Sequence, residues 1–264
     1  MLAHVHIQKT AGQTIRAILR KNFGPAHCDL FKDYGDLERD WKWTVRCYRR
    51  LESIAGHAVK PVPALEKHFP QGRYYTFVRE PLRRCISHYQ FMLQSGVPCG
   101  PFREWVEANA DHQTRMIAGE PNAEKAIELL RTRIGFVGLV ERFDESLVLW
   151  KRWTGIPHLD VRYRSVNVAR SNSVRKSVLS DDSNRGLIRD LHRQDAKLYR
   201  YVVEELYPRQ VAAYGETLQA DVRSFERALA TGTNSSWVGL LGKAKRNLVY
   251  KPVMRFVNSG RKAA

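Results

Sequence analysis

Short unbroken apolar or β-branched runs alternate along the chain with stretches of helical periodicity. The run at 2–7 breaks into Lys9-Thr10-Ala11-Gly12-Gln13. Ile15, Ile18, Leu19 and Phe23 then recur at helical spacing, which predicts strand, tight turn and amphipathic helix. A second buried run at 51–59 ends at Gly56-His57 and is followed by a proline-started helix at 61–69. The clearest strand, 73–78, hands over at Arg79 through Glu80-Pro81 to a long helix. Further helices are predicted at 102–119 and 123–133, then a strand at 134–140 and a helix at 144–153 with Asp144 as N-cap. Residues 24–50 read as a mixed insertion with some helix. From 195 a helical pattern runs on to about residue 230, and 231–236 reads as a linker.

Strands alternating with helices predict an α/β chain: a P-loop-like three-layer sandwich with a mostly parallel central sheet flanked by helices. In such sheets ligands bind at the carboxyl ends of the strands, so the turns after residues 7, 56 and 78 are the places to look. The expected division is one domain over 1–235 and a basic amphipathic tail over 236–264.

Charge narrows the partners. Of 264 residues, 44 are Lys or Arg and 27 Asp or Glu, a formal net charge of +17, so an anionic partner is expected. The tail adds seven bases and no acid, and leaves the remainder basic as well. Chain length supports a real core without disulfides or a structural metal. Cys28, Cys47, Cys85 and Cys99 show no paired metal or redox spacing and read as reduced thiols. His4 and His6 share a strand face without a third ligand nearby, and no metal is expected. With no apolar run of bilayer length and no signal-peptide pattern at the start, the expected location is cytoplasmic, with peripheral attachment at the inner face of a membrane as an option.

The first turn has the chemistry of a phosphate cradle. Small residues let backbone N–H groups turn inward, the helix start favours an anion, Lys9 adds charge, and Thr10 and Thr14 add hydroxyls. The Walker A pattern is absent. After the strand at 73–78, Arg79 offers a planar fork and Ser87 a neutral donor from the helix, together suited to a second anion.

The segment at 6–15, HIQKTAGQTI, resembles the H-I-P-K-T-x-G-x-S loop of carbohydrate sulfotransferases of the heparan-sulfate and bacterial family 2 type. FVREPLRRCISHY resembles that family's R-D-P-x-x-R-x-x-S-x-Y segment. Further similar stretches are AGH at 55–57, NADHQTRMIAG at 109–119, FVGLVERFDESL at 136–147 and DAKLY at 195–199. Gln8 replaces the usual proline, Gln13 and Thr14 stand for hydroxyl residues, and Glu80 replaces Asp.

The resemblance implies 3′-phosphoadenosine 5′-phosphosulfate (PAPS) as sulfuryl donor and a carbohydrate or glycolipid hydroxyl as acceptor. It assigns Lys9, Thr10, Ala11, Gly12, Gln13 and Thr14 to the 5′-phosphosulfate, and Arg79 and Ser87 to the 3′-phosphate. His57, at a predicted strand end on the same rim, is the expected base. Lys9 is expected to stabilise charge on the departing phosphate oxygen. Gln113 and Arg115 are expected along the acceptor cleft, His88 and His112 are weaker candidates, and Glu80 reads as a helix cap rather than a base.

Arg162, Arg164, Arg170, Arg175 and Lys176 read either as a flap or rim for anions or as a solvated loop. The tail reads either as a helix in an anionic membrane interface or as a terminal helix docked on the body. A nucleic-acid module would explain the charge, but stacking platforms and recognised motifs are missing, so no nucleic-acid partner is expected. A non-catalytic basic binding protein on the same fold is the alternative.

Overall fold

The computed structural model describes residues 1–30, 37–164, 173–232 and 237–259. In chain order the elements begin with β1 (Leu2–Val5), α1 (Gly12–Phe23), β2 (His27–Asp29), α2 (Leu37–Cys47), β3 (Ser53–Gly56) and α3 (Pro63–Glu66). They continue with β4 (Arg73–Val78), α4 (Pro81–Gln94), α5 (Phe102–Ala108), α6 (His112–Ala118), α7 (Ala123–Thr132), β5 (Ile134–Leu139) and α8 (Phe143–Thr154). The remainder is helical: α9 (Ser173–Ser180), α10 (Asp182–Leu191), α11 (Arg193–Tyr201), α12 (Tyr207–Tyr214), α13 (Leu218–Ala230), α14 (Trp237–Lys245) and α15 (Lys251–Ser259).

The strands form one parallel sheet in the order β2-β3-β1-β4-β5, as expected for the fold class. Helices cover both faces, so the strands read as apolar runs rather than alternating ones. Leu2, Ala3, Val5, Ile54, Tyr75, Phe77, Val78 and Val137 are all buried. β1, β3 and β4 are neighbours, and their carboxyl ends lie together at the centre of one rim.

Both sheet edges are closed by side chains that replace a missing strand. At β5 the Gln210 amide bonds the Val137 N–H at 3.0 Å and its carbonyl at 2.8 Å. Beside β2, Lys245 donates to the Pro25 carbonyl at 2.9 Å and Arg246 to the Asp29 carbonyl at 3.3 Å. Covered edges do not recruit another chain's strand. The helix that carries Lys245 and Arg246 sits close because Gly242 and Gly24 meet backbone to backbone. A Cβ on Gly242 would fall 2.5 Å from the Gly24 carbonyl carbon. Tyr250 and Met254 of the same segment are buried in the main core. Of the two readings of the tail, residues 237–259 therefore take the docked one on their inner face.

Several boundaries differ from expectation, each for a local reason. The region at 24–50 holds the edge strand β2, whose three residues His27, Cys28 and Asp29 are too few and too polar to read as a strand. Its Asp29 is buried and ion-paired to Arg16 at 2.6 Å and to Arg20, with His27 Nε2 at 3.1 Å. The expected helix at 102–119 is two, α5 and α6, separated at Asp111, which takes a left-handed φ of 48°. Asp144 is not the N-cap of α8; that position is Arg142, and Asp144 accepts from the Tyr163 hydroxyl at 2.7 Å. The proline-started helix at 61–69 is a single turn, α3.

The helix expected from 195 to 230 stops at Gly215, whose φ of 97° ends α12. Within it, Val202–Leu206 forms a π turn two residues before Pro208, and Arg246–Tyr250 does the same before Pro252. Proline lacks the N–H that the preceding turn needs, and the wider turn absorbs the mismatch. The expected linker falls largely on 233–236, and Arg170 on 165–172, outside the described residues.

Candidate functional site

Three turns leave the carboxyl ends of the three central strands and surround one cavity of about 420 Å³. Its wall includes Gln8, Lys9, Ala11, Gly12, Gln13 and Thr14 after β1, and His57 after β3. Arg79 follows β4, and Ser87, His88 and Phe91 come from α4. A larger cavity of about 560 Å³ lies between α8, the segment after it and α13, but contains none of these groups. The chemistry therefore selects the smaller one.

The loop after β1 is held in an unusual backbone form. Lys9 and Ala11 both have positive φ, 69° and 63°, without being glycine. Left-handed residues placed this way turn successive N–H groups toward one side, which makes an anion-binding concavity. Ala11 is the N-cap of α1, offers no side-chain cap, and no acid stands in the first helical turn. The helix start thus keeps its attraction for an anion. Thr10 differs from expectation: it is buried and its hydroxyl donates to the Ile7 carbonyl at 3.0 Å, so it braces the loop instead of offering that proton to a ligand.

Two cations face the cavity side by side. Arg79 Nη1 donates to the Lys9 carbonyl at 3.3 Å, and burial together with Arg79 lowers the pKa of the Lys9 ammonium. Lys9 Nζ lies 4.3 Å from the centre of the Phe91 ring. Among the described residues no acidic side chain lines the cavity itself. Behind the wall Glu141 Oε1 lies 4.0 Å from Arg79 Nε, so Arg79 is partly neutralised from that side, while the two cations together still favour an anion on the cavity side.

His57 is the one histidine of the wall whose orientation is set by a backbone acceptor. Its Nδ1 lies 2.7 Å from the His6 carbonyl oxygen, which can only accept, so Nδ1 carries the proton. In the neutral ring this leaves Nε2 with its lone pair. The ring stacks on His6 at 4.3 Å between centroids, and His6 in turn stacks toward His4. His4 and His6 do share a face, but as members of this stack. Burial is the first cause that lowers their pKa values, to about 3 and about 2.

The remaining predicted residues separate into those that meet the cavity and those that act behind it. Ser87 and His88 are on the wall; burial, Arg84 and Lys9 hold the His88 pKa down to about 4. His112 meets the Gln8 side chain instead. Gln113 is not on the wall as expected for acceptor binding. It is buried and grips the Arg79 backbone at both ends, accepting from its N–H at 2.9 Å and donating to its carbonyl at 2.8 Å. Arg115 is also off the wall: it is exposed and donates to the Ala110 carbonyl at 3.1 Å. Glu80 caps α4 through the N–H groups of Leu82 and Arg83, as its position before Pro81 predicts.

Gln8, Phe91, Val140 and His6 line the cavity without having been foreseen as site residues. For Phe91 the signal was available, since it stands one helical turn after Ser87. Arg162, read as part of a flap or rim or of a solvated loop, is off this wall and paired to Asp160 at 2.9 Å. Among the described residues no cluster of His, Cys, Asp or Glu is arranged to hold a metal ion.

A family model described as "Sulfotransferase family" matches residues 1–215. That span holds all five strands, the loop after β1, His57, Arg79 and Ser87, and stops before α13. No curated protein matches the chain.

Proposed function

The chain belongs to the sulfotransferase family, and from that premise we propose that it sulfates a hydroxyl of a carbohydrate or glycolipid, with His57 as base. Family membership implies PAPS-dependent sulfuryl transfer. The observation that carries the residue assignments is the convergence of Lys9, His57 and Arg79 on one cavity from the ends of three adjacent parallel strands.

The residues fit the donor at both of its anionic ends. The left-handed loop and uncapped start of α1 suit the 5′-phosphosulfate, and Arg79 with Ser87 suits the 3′-phosphate. When bound, the donor supplies the sulfuryl group and a phosphate leaving group. His57 Nε2 accepts the proton of the acceptor hydroxyl, in the tautomer that the His6 carbonyl selects. Lys9 places positive charge where negative charge grows on the leaving side. Gln113 is a positioning residue, because it acts through the Arg79 backbone. A sugar acceptor accords with the half-exposed Phe91 ring on the cavity wall, a flat apolar surface of the kind that the C–H face of a pyranose covers.

The test is calorimetric binding of the product nucleotide 3′-phosphoadenosine 5′-phosphate (PAP), compared with 5′-AMP and ATP, on wild type and Arg79→Ala. Tight binding that needs both the 3′-phosphate and Arg79 supports the assignment, and a screen of glycans and glycolipids with labelled PAPS then identifies the acceptor. Equal affinity for PAP and 5′-AMP overturns the 3′-phosphate site, and a screen that labels no sugar overturns the acceptor class.

A further inference from the structure

The segment 237–259 has two faces, and docking explains only one. Gly239 and Gly242 lie against the end of α1 and Gly24, while Lys245, Arg246, Tyr250 and Met254 also point into the body. On the outside, Trp237, Leu240, Leu241, Ala244, Leu248, Pro252 and Phe256 recur at steps of one, three and four residues. Trp237 and Phe256 are each 81 % exposed, Leu248 77 % and Leu241 61 %. These form a continuous apolar stripe along a helical segment of about 35 Å, at 1.5 Å per residue. Such a stripe on a soluble surface calls for a partner.

The charges around the stripe identify what that partner is. Residues 41–52, which end in the turn beneath Tyr250, and residues 237–259 together carry nine bases and one acid, Glu52. Lys42, Arg46, Arg49, Arg50, Lys243 and Arg255 are exposed. A second copy of this chain seated on the stripe by a twofold axis would set these six exposed bases against six, which opposes association. An anionic lipid surface answers both features at once, taking the apolar stripe among its acyl chains and the bases among its headgroups. Among the described residues no helix is long and apolar enough to cross a membrane, so the geometry fits a helix lying in the surface.

We propose that the outer face of α14 and α15 binds in the interface of an anionic bilayer and holds the whole domain there. The binding face is rigid before contact, because its inner side is already packed; it does not need to fold on the lipid.

The experiment is sedimentation of the full chain with vesicles of phosphatidylcholine alone, and of three parts phosphatidylcholine to one part phosphatidylglycerol. The expected result is binding to the anionic vesicles about tenfold or more above the neutral ones, falling as salt rises. The triple variant Leu241→Ser/Leu248→Ser/Phe256→Ser loses about tenfold or more of that binding while its melting temperature and PAP affinity stay those of wild type. Lys243→Gln/Arg255→Gln reduces the preference for anionic lipid. The proposal is overturned if wild type stays in the supernatant with both vesicles, or if the triple variant sediments as wild type does. It is equally overturned if analytical ultracentrifugation finds a wild-type dimer that the triple variant abolishes, since the stripe is then a contact between copies. None of these readings depends on the acceptor.

Discussion

A Cβ on Gly12 would fall 1.8 Å from Nε2 of His6. The glycine of the loop therefore makes room for an imidazole, and that imidazole is the platform on which His57 stacks. The loop and His57 are coupled through one ring.

Gly12→Ala is expected to push His6 off its seat and disturb both sites at once. Overpacking of this kind costs about 1–3 kcal/mol. Urea unfolding gives the stability change, and PAP titration gives the change at the loop. An alanine variant with wild-type midpoint and wild-type affinity would show that His6 can move aside without consequence.

His57→Gln is expected to lower kcat by about 10²- to 10⁴-fold, the usual contribution of a general base. PAP affinity should stay within about threefold, because no phosphate group is assigned to His57. A large loss of PAP affinity with little change in kcat would reassign His57 to nucleotide binding.

Gln113→Leu tests positioning at a distance. The buried amide holds both backbone polar groups of Arg79, so its loss should reduce the preference for PAP over 5′-AMP by about tenfold, in the same sense as Arg79→Ala. Binding of 5′-AMP itself should change little. If both nucleotides weaken equally, Gln113 supports the fold in general and not the 3′-phosphate site.

Stability should fall steeply on acidification below about pH 6.5. His4, His6, His88 and His112 have folded pKa values lowered to about 3, 2, 4 and 2, in each case first by burial. The folded protein keeps them neutral while the unfolded chain takes up protons, so their contribution is present above 6.5 and lost as pH falls. Each adds a slope of about 1.4 kcal/mol per pH unit once the unfolded chain is protonated. Asp29 acts in the same direction but in a lower window, its contribution being lost only as pH falls below the ordinary carboxylate value of 3.8. Burial alone would raise its pKa, but the His27 hydrogen bond and charge, with Arg16 and Arg20, hold it well below the usual carboxylate range. Urea midpoints from pH 7 to 5 measure the slope, and His4→Phe should reduce it by about one proton's worth. A flat profile would mean that these rings are protonated in the folded state.

Much of this architecture was legible because the decisive signals are local. β4 carries an unbroken apolar run that ends at a cation and a proline, and β1 ends in small residues before a helix. Both were readable without knowing what lies beside them. β2 was not, because three residues with a buried Asp29 make sense only once Arg16, Arg20 and His27 are placed around them. The site divides in the same way. Lys9, His57 and Arg79 stand at predicted strand ends, and the resemblance to the sulfotransferase motifs singles them out there. Gln113 and Thr10 have site-like chemistry but spend it on the Arg79 and Ile7 backbones, a distinction that depends on distances between remote segments. The role of His6, a ring held between Gly12 and His57, likewise depends on segments far apart in the chain.

The covering of β2 by Lys245 and Arg246 has a consequence for the order of assembly on the ribosome. The contacts that close this edge join residues 220, 217 and 206 positions apart: Lys245 with Pro25, Arg246 with Asp29, and Tyr250 with Thr44. Synthesis delivers the five described strands by residue 139, yet the first edge strand waits more than a hundred further residues for its cover. During that interval the nascent chain presents an open β edge.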